Sequence, residues 1–137
     1  MRAHVRVGHD LLRNVPILQT VAEVVLHHHE RYDGTGYPDG LQGEEIPTAA
    51  RIVAVVDAYC AMITRRSYKE AYTEERARSE LRTGAGRQFD PGVVDAFLRV
   101  LDSPDARDPD DDYEAECGLL PVFVDAAMLP PLPWPRG

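Results

Sequence analysis

The segment HHHERYDGTGYPDGLQGEEIP, residues 27–47, sets three histidines beside carboxylates and tyrosines in a run punctuated by glycine. All five histidines fall in the first 29 positions, at 4, 9, 27, 28 and 29. Neutral imidazole is the commonest ligand for catalytic transition metals, so this crowding points to divalent-metal chemistry. Successive side chains on a helix diverge by about 100°, so His28 and His29 are not expected to play identical parts at one ion. Two neighbouring ions, or one ion and a substrate contact, suit them better. The blander alternative is a helix C-terminus decorated with imidazoles, where the helix dipole favours their cationic form. Asp57 is the other conspicuous residue, because a lone carboxylate among Val53, Val56 and Met62 is costly to bury without a cation.

These side chains need elements to carry them. PILQTVAEVVLHHH, residues 16–29, places Ile17, Val21, Val24, Val25 and His28 on one face at helical spacing, which predicts an amphipathic helix with His28 pointing inward. In the loop from Asp33 to Pro47, Gly34, Gly36, Gly40 and Gly43 permit positive φ angles, while Pro38 restricts Tyr37 to extended geometry. It reads as a shaped loop, and the glycine-flanked Tyr37 as packing against the site or shaping a partner surface. PTAARIVAVVDAYCAMI predicts a nearly all-round apolar helix carrying Asp57. Thr73 with Glu74 and Glu75 marks a helix start, Gly84 a stop, and Asp90-Pro91 a cap pair opening VVDAFLRVL. Gln88, Phe89 and Asp90 read as structural. The expectation is an all-α fold of about five helices without a convincing strand.

At 137 residues the chain suits one modest core plus a tail. The formal net charge of −8 is uneven: residues 102–137 hold nine acids and two bases, so residues 1–101 are close to neutral. Overall charge therefore says little about nucleotide binding, and local cations matter more. The stretch DSPDARDPDDDYEAECG and the proline-rich LPPLPWPRG predict a disordered tail, with the apolar LLPVFVDAAML able to dock on the core or a partner. Cys60 and Cys117 are far apart and read as free thiols. No apolar run approaches the roughly 20 residues that span a bilayer, and a cytoplasmic location is the expectation.

HHERYDGTGYPDGLQGEEIP, ARIVAVVDAYCAM, RSYKEA and GAGRQFDP occur in the order and spacing of the HD-GYP family, which residues 1–101 resemble. The resemblance implies a partial HD-domain helical bundle over residues 1–101, followed by an acidic and proline-rich tail over 102–137. It also implies phosphohydrolase chemistry with two or three divalent metal ions, iron or manganese, opening cyclic di-GMP to the linear dinucleotide or GMP in bacterial second-messenger signalling. Residue by residue, it makes His28 and His29 metal ligands in the HHE element and Asp57 the carboxylate ligand of the DAYxAM helix. His4 matches the ligand of H-x-x-x-G-x-x-x-L, with Gly8 and Leu12 in step. Arg66 and Lys69 match the basic pair that holds substrate phosphate. Gly36, Tyr37 and Pro38 form the GYP turn, a surface open to a signalling-protein partner; no nucleic-acid polymer and no membrane segment is implied.

The chain also departs from the family pattern. The HD-x-G-K motif is not found: His9-Asp10 is followed by LLRNVP, and reads as a surface pair. MRAH lines up with the middle of a family helix, so the expectation is the later part of a longer domain, with about half of the family's ligands. One weak metal site, impaired or absent activity, and apolar helix faces left uncovered are expected. The alternative function is a catalytically silent protein-interaction or nucleotide-binding module that uses the GYP loop.

Overall fold

The computed structural model describes residues 3–64 and 71–103. Five α-helices follow one another: α1 (Ala3–Leu12), α2 (Gln19–His27), α3 (Thr48–Ile63), α4 (Glu74–Gly84) and α5 (Pro91–Asp102). Short 3-10 turns at Pro16–Leu18 and Gly43–Glu45 precede α2 and α3. The described residues hold no strand, only isolated bridges pairing Asp33 with Gln42 and Ala85 with Phe89. The all-α reading stands. Arg66, Lys69, Cys117 and residues 104–137 of the expected 102–137 tail lie outside the described residues, while Asp102, expected in the tail, is the last residue of α5.

The core sits between α3, α4 and α5, where Val55, Tyr59, Met62, Ala77, Leu81, Val94 and Leu98 meet Tyr72 and Phe89 from the connections. Local chemistry sets where these helices begin. Thr73 accepts a hydrogen bond from the Arg76 N–H at the start of α4, and Asp90 accepts from the Gly92 and Val93 N–H groups at the start of α5, with Pro91 in the first turn. Helix α4 stops at Gly84, where a side chain has no room: a Cβ there would lie 2.8 Å from the Phe89 ring. Arg51 on α3 pairs with Asp90, which ties the α5 cap to the central helix.

The outer pair is α1 on α2, and α2 in turn packs on α3. Gly8 permits the α1–α2 approach, since a Cβ there would come within 2.9 Å of the Val25 side chain. The expected inward stripe of α2 needs correction. Pro16 opens a separate 3-10 turn, so Ile17 is out of register with α2 and is 86% exposed, and Val21 is 47% exposed. The face of α2 that turns inward carries Ala22 and, at its end, the histidines.

Candidate metal centre

Helix α2 ends inside the run of histidines. The His28 N–H still bonds to the Val24 carbonyl at 2.9 Å and the Glu30 N–H to His27 at 3.0 Å, after which the chain leaves the helix. Residues 27–30 are all buried. The His28 Nδ1 lies 2.8 Å from the Val25 carbonyl oxygen. A carbonyl only accepts, so the ring proton sits on Nδ1 and the lone pair on Nε2. Burial pushes the His28 pKa below its ordinary value, the Val25 contact pulls it partly back, and His4 lowers it again. His28 is therefore neutral at pH 7, the form that ligates a metal.

His4 reaches in from α1, and its Nε2 stands 3.0 Å from the His29 Nε2. The His29 ring lies between neighbours, with centroids 3.9 Å from His28 and 5.1 Å from His4. One ligand atom from each of His4, His28 and His29 falls within 4.8 Å of the others. The set fits a divalent ion: two imidazole nitrogens at about 2.1 Å from one ion and at right angles to each other are about 3.0 Å apart. Asp57 is buried on the adjacent α3, but its carboxylate is not one of the three gathered ligand atoms.

The loop after α2 closes over this cluster. Tyr37 donates its N–H to the His29 carbonyl at 3.3 Å and lays its ring 5.0 Å from the His29 ring, and the Tyr37–Pro38 peptide is cis. Gly34, Gly40 and Gly43 take positive φ as expected, at 79°, 70° and 59°. Gly36 does not, and is required for a different reason, since a Cβ there would run into the backbone of Arg31 and Glu30. Glu30 is the residue that sequence reasoning passed over. Its side chain is fully buried, and Oε1 accepts from the Asp39 N–H at 2.8 Å and the Gly40 N–H at 3.1 Å. The start of the loop is held from outside, where the Tyr32 and Asp33 N–H groups donate to the Gln88 and Arg87 carbonyls. Gln88 and its neighbours are thus structural.

The sequence profile of the HD domain family matches residues 1–93. This chain belongs to the HD domain family. Among its relatives, the cyclic di-GMP phosphodiesterase response regulator RpfG of Xanthomonas campestris is 52% identical over 101 residues, a match covering 72% of this chain and 27% of the relative. A cyclic di-GMP phosphodiesterase of Thermotoga maritima is 46% identical over 102 residues, 73% of this chain and 28% of the relative. The 3'3'-cGAMP-specific phosphodiesterase 2 of Vibrio cholerae is 39% identical over 104 residues, 74% and 20% respectively. The match thus spans about a quarter of the length of the first two relatives. Among solved structures, a cyclic GMP-AMP-specific phosphodiesterase of Vibrio cholerae (V-cGAP3) superposes with a TM-score of 0.62 at 21% identity, over 88% of this chain and 28% of that one. That likeness shows the fold.

Within this HD domain, His9 and Asp10 stand apart from the cluster. His9 lies 3.5 Å from Glu23 on α2 and 3.5 Å from Asp10, and it lines an open cleft between α1, α2 and the start of α3 together with Arg13, Glu23 and Pro47. None of His4, His28, His29 or Asp57 lines that cleft. Arg66 and Lys69 lie outside the described residues of the HD domain. No described helix is long and apolar enough to cross a membrane.

Proposed function

We propose that this HD domain, residues 1–101, serves a metal-dependent phosphodiesterase that opens cyclic di-GMP to linear pGpG or GMP in bacterial second-messenger signalling. The observation that carries the reading is the meeting of His4 from α1 with His28 and His29 from the end of α2, at a spacing that suits one ion. The names of the Xanthomonas and Thermotoga relatives, both cyclic di-GMP phosphodiesterases, support the substrate.

In this reading the three imidazoles hold the ion and Asp57 adds a carboxylate from α3, a mixed set that suits iron or manganese. Such an ion, when bound, supplies Lewis-acid charge next to a phosphodiester. His28 keeps its lone pair for ligation because burial holds it neutral. Tyr37 covers one side of the His29 ring and limits its rotation. Arg66 and Lys69 neutralise the non-bridging phosphate oxygens as charge builds on them. The GYP turn, Gly36-Tyr37-Pro38, presents a surface to a signalling partner. Four protein donors are few for a two-ion centre, so turnover by this chain alone is slow.

The test loads the 137-residue protein with iron or manganese and follows cyclic di-GMP and 3'3'-cGAMP by chromatography. The expected result is slow conversion of cyclic di-GMP to pGpG. Asp57→Ala and His28→Ala each weaken manganese binding at this centre tenfold or more, and Arg66→Ala lowers turnover with metal content unchanged. Manganese binding at the centre that is indifferent to both Asp57→Ala and His28→Ala would remove the ligand assignment. Metal binding with no turnover of either dinucleotide would favour a silent binding module.

A further inference from the structure

We propose that His27, Glu30 and Asp39 form a second divalent-cation site, separate from the His4–His28–His29 centre, which fastens the loop to the end of α2. One ligand atom from each of the three lies within 4.8 Å of the others. The His27 Nδ1 stands 3.8 Å from Glu30 Oε1 and 3.9 Å from Asp39 Oδ2. The His27 side chain is 8% exposed and that of Glu30 0%. The buried His27 Nδ1 and Glu30 Oε2 both lack a hydrogen-bond partner, the pattern expected of ligand atoms awaiting an ion.

The other His27 ring nitrogen, Nε2, lies 3.5 Å from Glu23 Oε2. With the ring proton on Nε2, facing this carboxylate, the Nδ1 lone pair turns towards Glu30 and Asp39. Three acceptors then converge with no donor among them, which is costly for the buried pair, His27 and Glu30, unless a cation joins them to Asp39 at the surface. An imidazole backed by a carboxylate on its far nitrogen is also the usual second layer around a metal-bound histidine. The remaining oxygens are engaged: Glu30 Oε1 accepts from the Asp39 and Gly40 N–H groups, Asp39 Oδ1 faces Arg6 at 3.4 Å, and Glu23 Oε1 faces His9 at 3.5 Å. One imidazole with two carboxylates selects a first-row ion such as zinc or manganese over magnesium. Because His27 precedes His28 on the same helix, the two rings leave α2 about 100° apart and serve different ions.

The proposal does not depend on the phosphodiesterase reading, and its test reads metal rather than turnover. The full chain is titrated with zinc by calorimetry and with manganese by the paramagnetic signal of the free ion, and circular dichroism checks each variant. Asp39 is exposed, so Asp39→Asn leaves the fold intact; it is expected to weaken one binding step tenfold or more and to abolish the matching zinc-induced rise in Tm. His28→Ala retains that step, and His27→Gln loses it as Asp39→Asn does. Wild-type titrations for Asp39→Asn would overturn the proposal and leave His27, Glu30 and Asp39 as neighbours that hold no ion. A single bound ion lost alike in Asp39→Asn and His28→Ala would overturn it too, because the two sites would then be one.

Discussion

Asp33 and Asp90 each tie a turn to a cation, and both carboxyls titrate below their ordinary value. For Asp33 the Arg31 hydrogen bond is the chief cause; burial opposes it, Thr35 adds to it, and the pKa falls to about 2. For Asp90 burial pushes the value up, but Arg51 and the Gly92 and Val93 N–H groups together pull it further down. A carboxyl whose folded pKa is depressed contributes stability above its unfolded pKa, and that stability is lost as pH falls through the folded value. The urea midpoint should therefore fall between about pH 4 and pH 2, the interval from an ordinary carboxyl to Asp33. Asp33→Asn should flatten that slope, and an unchanged slope would show that the Arg31 contact carries no such stability. At this scale the sequence made His4, His28 and His29 visible, because imidazoles are rare and chemically distinctive. Glu30 stayed hidden because its partners are backbone N–H groups nine and ten residues later, and a backbone group leaves no mark in the sequence.

Helix α3 and the starts of α4 and α5 were legible in advance, since an apolar run, Thr73 and Asp90-Pro91 act through neighbours a few residues away. The start of α2 was not. Its apolar spacing continues smoothly through Ile17, but Pro16 sets off a separate 3-10 turn and rotates Ile17 away from the interior. The loop shows a related limit, because Gly36 reads like its neighbours in sequence while its task is clearance rather than φ. A Cβ at Gly36 would meet the backbone of Arg31 and Glu30, which cannot yield as a side chain end can. Gly36→Ala is therefore expected to destabilise the protein by about 1–3 kcal/mol, measured by chemical denaturation. A cost below about 0.5 kcal/mol, the range of ordinary surface changes, would show that the loop has room to shift.

At the largest scale the core of the described residues belongs to α3, α4 and α5, while α1 and α2 form an outer layer with apolar side chains facing solvent. Val7, Leu11, Val15, Ile17 and Val21 are all more than 40% exposed. Uncovered faces of this kind favour association, as the sequence led one to expect for this part of the chain. Leu11→Lys with Ile17→Lys should raise solubility and shift a concentration-dependent sedimentation profile towards monomer, with stability changed by no more than about 0.5 kcal/mol. A profile unaffected by the pair would place any association elsewhere. The tether from Glu30 to the Asp39 and Gly40 N–H groups has a consequence for motion. These two amides belong to a surface loop, yet their acceptor is a carboxylate with no solvent exposure, so they trade their hydrogens for deuterium only when the loop lifts from the end of α2. The exchange rate of these two amides thus times the parting of a glycine-rich loop from the helix beneath it.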